Sequence, residues 1–495
     1  MVRQYALALL DFQLPNPMRF AEAYYTHYPK LGIGQWPPVF YLIEGGWTLL
    51  FGPSHRSVML LLGLIVVAAL WMVHQITSRL AGPVLALGAV ALLLMRGTVV
   101  RFSYQVEPDM LLAVVSLAAA LAFARYVSKP GWRNSLAWSA LAVLAILIKG
   151  NAFALAFLPL VYVAISRRFD LLRRADFWAP GGVVGLLCGP WYWITRGIWT
   201  HTNTKLGTEF IWVNPVAVTR LHHFGLGLLA GGAAGMVIAC GREGRCPRRR
   251  LADVMAALLV AWTAFHTLSP VGGGPRKHLL VLLLLAAFSM VSIRALSSWA
   301  GGKGIPPPLA AGCLTIGLAL SFRSGLPGSS TKPRAMGAAA ARIVDSKNLQ
   351  RAAILVSSKG VGEGSLIAEM ALRQPDPQHY ILRASQLLAH GDWYDRRYEL
   401  AVRTPAAVAE LLDTVPVAAV VVDNRRGPRA VPHHELLEEM LRERPGEWEL
   451  VGIFPGGPGQ ARVTACLYLR RGEIRPLARP PRIYSGTLGR YVSSR

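Results

Sequence analysis

The sequence has 495 residues, of which 53% are hydrophobic and 16% are charged, and its formal net charge is +25. Soluble domains carry about 25% charged residues, so this composition excludes a wholly soluble protein. Residues 1–334 hold 30 Lys and Arg against 10 Asp and Glu, whereas residues 335–495 hold 22 against 17. Basic residues that stand between apolar runs are typical of membrane orientation signals, and we expect a bilayer and no nucleic acid as partner.

The first part of the chain, 1–57, is expected to form an external loop and a juxtamembrane helix region. Residues 1–37 are polar and amphipathic, and no signal peptide or spanning helix precedes them in this sequence. The thirteen residues Val39–Phe51 either lie at the membrane surface as a juxtamembrane or re-entrant helix, or cross the membrane in place of a later segment. We therefore expect Met1 to be an internal start or a truncation.

Residues 58–322 are predicted to form a transmembrane helical domain of about ten helices. A spanning helix needs roughly 17–25 residues, and several of the ten apolar segments are short. The segments are 58–77, 83–100, 110–126, 135–149, 151–166, 178–196, 223–241, 252–268, 278–296 and 306–322.

Basic loops decide the orientation of this domain, because Lys and Arg in short loops stay cytoplasmic. Four such loops lie at every second connection, within 125–133, 167–174, 242–250 and 294–303. This alternation predicts that 101–109, the Lys149-Gly150-Asn151 turn, 197–222, 269–277 and all residues after Phe322 face outward, in a multi-pass protein of the cytoplasmic (inner) membrane.

The composition changes after Phe322 through a linker, 323–334, into an extracytoplasmic α/β domain, 335–474, which an extended tail, 475–495, follows. The runs Ala352–Ser357 and Val415–Asp423 are short and apolar, as in buried parallel strands, and Arg462–Leu469 is predicted to be a closing strand. Helical patterns lie at 366–372, 405–412 and 434–442. The glycines at 360, 362 and 364 are typical of a plain strand-to-helix turn, since the third spaced glycine of a nucleotide-binding loop is absent.

Glu107-Pro108-Asp109 is the first candidate site, because these two carboxylates stand at the start of a span and the following residues, 110–169, contain no Asp or Glu at all. A carboxylate at a membrane boundary needs water, a partner or a cation. Asp109 either caps the following helix or faces an outer cavity, where it would hold a divalent cation or orient an acceptor nucleophile; the two roles are compatible. We take Asp109 and Glu107 as catalytic candidates and Asp109 as a metal candidate.

An aromatic cluster near the N-terminus is the second candidate. Rings beside a rigid Pro-Pro turn suit either the entrance to a carbohydrate or lipid-headgroup cavity or an interfacial aromatic belt. The candidate binding residues are Tyr25, His27, Tyr28, Gln35 and Trp36.

Basic residues at predicted outer boundaries are the third candidate. Lys149 lies between two short spans, and Arg276-Lys277-His278 opens another. These residues could clamp a lipid phosphate or anchor helices by snorkelling. Positive charge on the outer side runs against the orientation rule, which favours function for Arg276 and Lys277.

Together these motifs resemble the GT-C superfamily of polytopic glycosyltransferases, in the branch of protein O-mannosyltransferases and lipid A aminoarabinose transferases. The resemblance covers about residues 1–322 and consists of several weak motifs. They are Tyr5 to Leu10, Tyr24 to Pro29, the Gln35-Trp36-Pro37-Pro38 turn, Phe51-Gly52, Pro108-Asp109, Lys149-Gly150, Pro190-Trp191-Tyr192 and Arg276-Lys277-His278. It implies an inverting enzyme that transfers a sugar from a polyprenyl-phosphate carrier to a lipid, polysaccharide or protein acceptor outside the membrane.

Two positions depart from the superfamily pattern. An acidic residue, often Asp-Glu, follows the first helix there and serves as the presumed base, whereas Met1-Val2 occupy that place here. The resemblance thus implies that the first helix and catalytic carboxylate are missing and that the chain from Met1 transfers little sugar; Asp11 or Glu22 would substitute only in another register. Gln35-Trp36 replaces a charged pair of aminoarabinose transferases, which argues against that donor.

The alternative function is a non-enzymatic transporter of envelope polysaccharide or lipid. Transporters tend to show internal repeats and charges near the membrane midplane. The sequence has no such repeat, and its charged candidates lie at segment boundaries. The sequence implies no cofactor beyond a candidate divalent cation.

Overall fold

The computed structural model describes the chain apart from residues 12–15, 31, 35, 199–224, 242–246, 269–274, 322–334, 375, 391–397, 425–430, 457–462, 475, 478–479, 486–487 and 494–495. Its contacts divide the chain into two compact units. The membrane unit comprises Trp36–Glu44 and Val58–Pro327, and the C-terminal unit comprises Met1–Gln35, Gly45–Ser57 and Gly328–Arg495. The N-terminal residues thus share a unit with the C-terminal α/β region, although the sequence predicted a separate 1–57 region. Gln35 and the predicted linker 323–334 fall outside the described residues.

Helices account for most of the described chain before residue 322. The first three helices are α1 (Val2–Leu10), α2 (Pro17–His27) and α3 (Val39–Phe51). Then follow α4 (His55–Ala81), α5 (Pro83–Leu94), α6 (Gly97–Arg101), α7 (Asp109–Ser128), α8 (Trp132–Ile148), α9 (Leu158–Ser166), α10 (Ala175–Ile194), α11 (Leu226–Cys240), α12 (Pro247–Leu268), α13 (Leu279–Gly301) and α14 (Pro307–Leu320). Every predicted apolar segment coincides with one or two of these helices, and a 3₁₀ turn, Gly150–Ala156, precedes α9.

Four of the described helical stretches are long and apolar enough to cross a membrane, and they correspond to α4, α7, α12 and the stretch Arg276–Gly301 that contains α13.

An exposed apolar stripe on α4 indicates that this helix is surrounded by lipid. Leu60, Leu64, Val67 and Trp71 recur at helical spacing and are 55%, 48%, 61% and 62% exposed. A continuous exposed apolar stripe is stable against lipid rather than water. The prediction of a polytopic helical membrane fold with a C-terminal α/β domain is confirmed.

Glycines allow a close helix contact in the membrane unit, between α11 and α13. A Cβ added to Gly235 would overlap the carbonyl oxygen of Phe288. One turn earlier, Gly231 faces Ser289, and the Gly231 carbonyl accepts a hydrogen bond from Ser292 Oγ at 2.7 Å. Small residues at four-residue spacing let helix backbones approach in a membrane, where packing and interhelical hydrogen bonds replace the hydrophobic effect.

The described part of residues 335–495 folds as an α/β sandwich. Its helices are α15 (Ala335–Asp345), α16 (Gly362–Arg373), α17 (Ala384–Leu387), α18 (Pro405–Thr414) and α19 (Pro432–Glu443). The main sheet contains β1 (Ala353–Ser357), β2 (Tyr380–Arg383), β5 (Val417–Asp423), β6 (Trp448–Pro455) and β7 (Thr464–Arg470) in the order β2-β1-β5-β7-β6. Two short pairs stand apart from it, β3 (Ala389–His390) with β4 (Glu399–Leu400) and β8 (Ile483–Ser485) with β9 (Arg490–Val492).

The two runs predicted as buried parallel strands are β1 and β5, which pair in parallel and are buried throughout. Their side chains alternate between two cores. One face packs on α18 and α19, and the other packs on α15 and α16. The predicted closing strand is β7, which runs antiparallel to β5. The predicted extended tail contains the hairpin β8–β9, whose Ile483 and Val492 pack into the core.

The glycine-containing loop after β1 is the predicted strand-to-helix turn. Ser358 Oγ accepts hydrogen bonds from the Gly360 and Gly362 amides at 3.1 and 3.0 Å, and it donates to Asp423 Oδ2 at 2.6 Å. A Cβ on Gly362 would lie 2.5 Å from the same carboxylate oxygen. The loop amides that would hold a phosphate are therefore satisfied by a side chain of the protein.

Candidate active site

Asp109 is the first residue of α7, and its carboxylate forms an ion pair with a lysine. Asp109 is 4% exposed, and both carboxylate oxygens accept hydrogen bonds from Lys149 Nζ, at 2.8 and 2.9 Å. No capping hydrogen bond from a side chain is present at the start of this helix, which Pro108 precedes. The predicted capping role is therefore not what the carboxylate does; it forms a buried ion pair instead.

Lys149 reaches Asp109 because α8 ends one residue earlier. The backbone of Lys149 is extended, and the chain then turns into the 3₁₀ segment that begins at Gly150. Tyr192 supports this turn: its hydroxyl donates to the Ile146 carbonyl at 3.2 Å, and a Cβ on Gly150 would lie 3.2 Å from the same hydroxyl. Lys149 Nζ also lies 5.5 Å from the centre of the Trp36 ring, a cation–π contact. A lysine that is 7% exposed with these partners does not act as a snorkelling anchor.

The predicted basic cluster Arg276-Lys277-His278 lies in a 3₁₀ turn, Pro275–His278, immediately before α13. Arg276 Nη1 pairs with Glu107 Oε1 at 3.3 Å, while Lys277 is 9% exposed. Lys277 interacts electrostatically with Lys149 and Asp109. The structure thus brings two predicted carboxylates and three predicted cations into one cluster.

His266 on α12 joins the cluster with an asparagine that the sequence did not single out. Its Nδ1 lies 2.8 Å from the Trp262 carbonyl, and its Nε2 lies 2.9 Å from Asn151 Nδ2. The His266 ring is 5.6 Å from the ring of His278. Trp262 Nε1 donates to the Lys277 carbonyl at 2.9 Å and so fixes the turn that carries the basic residues.

Four residues of this cluster were given no site role from the sequence: Asn151, His266, Trp262 and Tyr192. A signal was available for two of them: Asn151 stands two residues after Lys149, and His266 interrupts an apolar span. Buried polar groups in a membrane segment need partners and mark functional cavities. The hydrogen bonds that join Trp262 and Tyr192 to the cluster depend on tertiary structure.

Tyr25, His27 and Tyr28 lie in the C-terminal unit and are bonded within it. The Tyr25 hydroxyl donates to the Tyr484 carbonyl at 3.3 Å, and the Tyr28 hydroxyl donates to Gln374 Oε1 at 3.0 Å. These contacts attach α2 to the α/β sandwich. The predicted binding role of these three residues is therefore not supported by their surroundings, whereas Trp36 lies beside Lys149.

His27 and His379 are close neighbours in that unit. His27 Nδ1 lies 2.9 Å from the His379 carbonyl, and its ring stacks on Tyr380 at 4.3 Å. Burial lowers the pKa of His27, and burial together with the nearby His27 lowers the pKa of His379 to about 4. Desolvation therefore favours the neutral form of both imidazoles.

Among the described residues, no group of three His, Cys, Asp or Glu side chains could hold a metal ion. Both oxygens of Asp109 accept from Lys149, and an ammonium beside the carboxylate opposes a divalent cation electrostatically. Lys149 thus occupies both of the oxygens that a cation at Asp109 would use.

Comparisons with known proteins address the fold. The family model described as dolichyl-phosphate-mannose-protein mannosyltransferase matches residues 35–193. No curated protein sequence matches the chain. Crystal structures of ArnT from Cupriavidus metallidurans, bound to undecaprenyl phosphate and in the apo state, each superpose with a TM-score of 0.52 and 14% identity over 88% of this chain and 88% or 87% of theirs.

An oligosaccharyltransferase of Archaeoglobus fulgidus, crystallised with zinc and sulfate, superposes with a TM-score of 0.48 and 14% identity over 81% of this chain and 61% of its own. The family match includes Trp36, Glu107, Asp109 and Lys149, which lie in the residue cluster described above. The chain therefore has the fold of the GT-C glycosyltransferases, as its sequence motifs predict.

Proposed function

We propose that this protein is a membrane glycosyltransferase that transfers a sugar from a polyprenyl-phosphate carrier to an extracytoplasmic acceptor. The observation that carries the proposal is the buried Asp109–Lys149 pair within a cluster of three cations and two carboxylates. In their ordinary charge states these groups leave one net positive charge. A polyprenyl phosphate joined to a sugar is a phosphodiester with one negative charge, so the cluster and the carrier have charges of equal size and opposite sign.

Each cation has a distinct role in the proposal. Asp109 holds Lys149 in place, and Lys149 with Lys277 stabilises the phosphate as it leaves the anomeric carbon. Arg276 is half-exposed and provides the outer contact to the same phosphate. The face of Trp36, next to Lys149, packs on the apolar face of the sugar.

Glu107 is the better placed of the two predicted catalytic carboxylates. Gln105 Nε2 donates to Glu107 Oε1 at 2.7 Å, and Arg276 pairs with the same oxygen. Within the described residues, Glu107 Oε2 receives no hydrogen bond, whereas both oxygens of Asp109 accept hydrogen bonds from Lys149. We assign Glu107 as the group that takes the proton of the acceptor hydroxyl, which belongs to a lipid, a polysaccharide or a protein.

The test of this function is transfer of radiolabelled sugar from undecaprenyl-phosphate carriers to membrane acceptors by the purified protein. Glu107→Gln should lower turnover by about 10²-fold or more while carrier binding is kept, because a positioned base contributes on that scale. Asp170→Asn, which changes an exposed carboxylate of the same unit, is the matched control. Wild-type turnover in Glu107→Gln would remove Glu107 from the mechanism, and no transfer from any carrier by the wild type would contradict the function.

The orientation of the protein is part of the proposal. Basic loops at every second connection support outward placement of the residues that follow α14, with the protein in the cytoplasmic membrane. A reporter fused after Arg334 should be active only outside the cytoplasm. Activity confined to the cytoplasm would invert the orientation and remove the extracytoplasmic acceptor.

A further inference from the structure

The orientation of the Asn151 amide is fixed by the His266 ring. A carbonyl oxygen can only accept, so the Nδ1 atom of His266, 2.8 Å from the Trp262 carbonyl, carries the hydrogen. The other nitrogen, Nε2, then presents a lone pair in the neutral ring. Because Asn151 Nδ2 is 2.9 Å from it, the amide nitrogen donates there, and the opposite end of the amide is the oxygen.

This amide oxygen lies in the candidate active site. Asn151 follows Lys149 by two residues in the same turn, and the His266 ring that holds it interacts electrostatically with Lys149, Lys277 and His278. Within the described part of the chain, Asn151 Oδ1 receives no hydrogen bond, and the residue is only partly buried. His266, which is 5% exposed, thus orients one hydrogen-bond acceptor, Asn151 Oδ1, beside a cluster of cations.

An oriented acceptor among cations selects a particular ligand group. A fully ionised phosphate, whether the diester of a loaded carrier or the monoester of a spent one, has no hydrogen to donate, so it binds the cations and not this oxygen. A sugar hydroxyl can donate, and in a glycosyl phosphate it lies a few bonds from the phosphate. A pocket that offers an acceptor to a hydroxyl discriminates against a ligand that lacks it, since the buried oxygen is then left unpaired.

We infer that Asn151 accepts a hydrogen bond from a hydroxyl of the carrier-linked sugar, with His266 as its positioning residue. The inference rests on the proposed function and adds to it how the site distinguishes a loaded carrier from a spent one. Lys149, Lys277 and Arg276 bind both forms through the phosphate. Asn151 contributes only when the sugar is present, which favours binding of substrate over release-ready product.

The experiment compares two ligands, undecaprenyl phosphate and undecaprenyl-phosphate-linked hexoses and pentoses, bound to the full chain in lipid nanodiscs. Asn151→Ala should weaken binding of the sugar-linked carrier that the wild type prefers by about 10-fold, the scale of one hydrogen bond with its partner lost. Binding of undecaprenyl phosphate should stay within twofold of wild type. Asn134→Ala is the matched control, because this partly exposed asparagine donates, among the described residues, to the Lys129 carbonyl alone.

A second variant keeps the test valid if Asn151→Ala unfolds. Asn151→Asp retains an acceptor oxygen of the same shape but adds a negative charge beside the phosphate. It should weaken both ligands and keep their affinity ratio near the wild-type value. His266→Phe, which releases the amide, should lower that ratio as Asn151→Ala does.

The outcomes separate the inference from the function. Equal loss of both ligands in Asn151→Ala, or an unchanged ratio in both Asn151→Ala and His266→Phe, overturns the assignment of Asn151 while carrier recognition stands. Failure of the wild type to bind undecaprenyl phosphate at all contradicts the proposed function itself.

Discussion

Removal of one partner of the Asp109–Lys149 pair is expected to destabilise the protein strongly. In Lys149→Met, Asp109 keeps a carboxylate whose side chain is 3% exposed and whose two hydrogen bonds are gone. At a separation of 2.8 Å the Coulombic attraction is about 6 kcal/mol for an effective dielectric constant of about 20. Desolvation of both charges offsets part of this attraction, and breaking a buried pair costs about 3–5 kcal/mol in practice.

The double variant Asp109→Asn/Lys149→Met separates stability from function. It contains no unpaired buried charge, so its free energy of unfolding should lie within about 1 kcal/mol of wild type. Sugar transfer should stay lost, because no ammonium remains to stabilise the leaving phosphate.

Unfolding of the four proteins by denaturant in detergent, with a double-mutant cycle, measures the coupling energy. The exposed bidentate pair of Arg168 with Asp170, whose carboxylate is 61% exposed, is the control and should show a coupling of about 1 kcal/mol or less. A coupling for Asp109 and Lys149 as small as that of the control would refute the claim of a buried pair. Recovery of transfer in the double variant would refute the role of Lys149.

Three further predictions concern separate parts of the molecule. Arg276→Gln should raise the KM for the carrier by about tenfold, because this partly exposed side chain contacts the phosphate at the outer edge of the cluster. The thermal unfolding midpoint should change little. An unchanged KM would exclude that contact. Gly235→Ala should abolish accumulation of folded protein in membranes, because its Cβ has no space against α13, whereas Gly185→Ala, with nothing within 4 Å, should accumulate normally. The pKa of His379 is lowered to about 4 in the folded protein, against 6.5 in the unfolded chain, so the unfolded chain takes up the proton first as the pH falls. The stability that is present above pH 6.5 should therefore be lost as the pH falls towards 4. In His379→Gln, the free energy of unfolding should decline less over this pH range.

The charged members of the active-site cluster were visible in the sequence, but their pairing was not. Asp109 and Lys149 each stand out because charges are rare at the ends of apolar segments. They are forty positions apart on different helices, and only the packing of α7 and α8 brings them together. The sequence therefore suggested a cation site at Asp109, where the fold supplies a lysine instead.

The aromatic cluster of the N-terminal segment shows the opposite case. Tyr24, Tyr25 and Tyr28 form one face of α2 at helical spacing, a pattern that suits a ligand cavity, a membrane interface or a protein core equally well. The structure places this face in the core of the C-terminal unit. Composition could not distinguish a ligand cavity, a membrane interface and a protein core, because the surface that covers these rings is more than three hundred residues away in the chain.

Strands of the α/β region were predicted where burial on both faces makes a continuous apolar run. This applies to β1 and β5. The edge strands β2 and β6 and the hairpin β8–β9 escaped prediction, since short or half-exposed strands show neither a continuous run nor a clear alternation. Pairing with neighbouring strands, rather than local sequence, establishes these elements.

Photo-crosslinking with a photoactivatable undecaprenyl phosphate tests the central claim most directly, because it locates the carrier phosphate on the chain. The reactive group is placed beside the phosphate, and labelled peptides are identified by mass spectrometry. We expect labelling of the segments that contain Lys149 and Arg276 to Lys277, with competition by unlabelled carrier and loss in Asp109→Asn/Lys149→Met. Labelling confined to the C-terminal unit, or undiminished in that double variant, would contradict recognition of the carrier phosphate by this cluster.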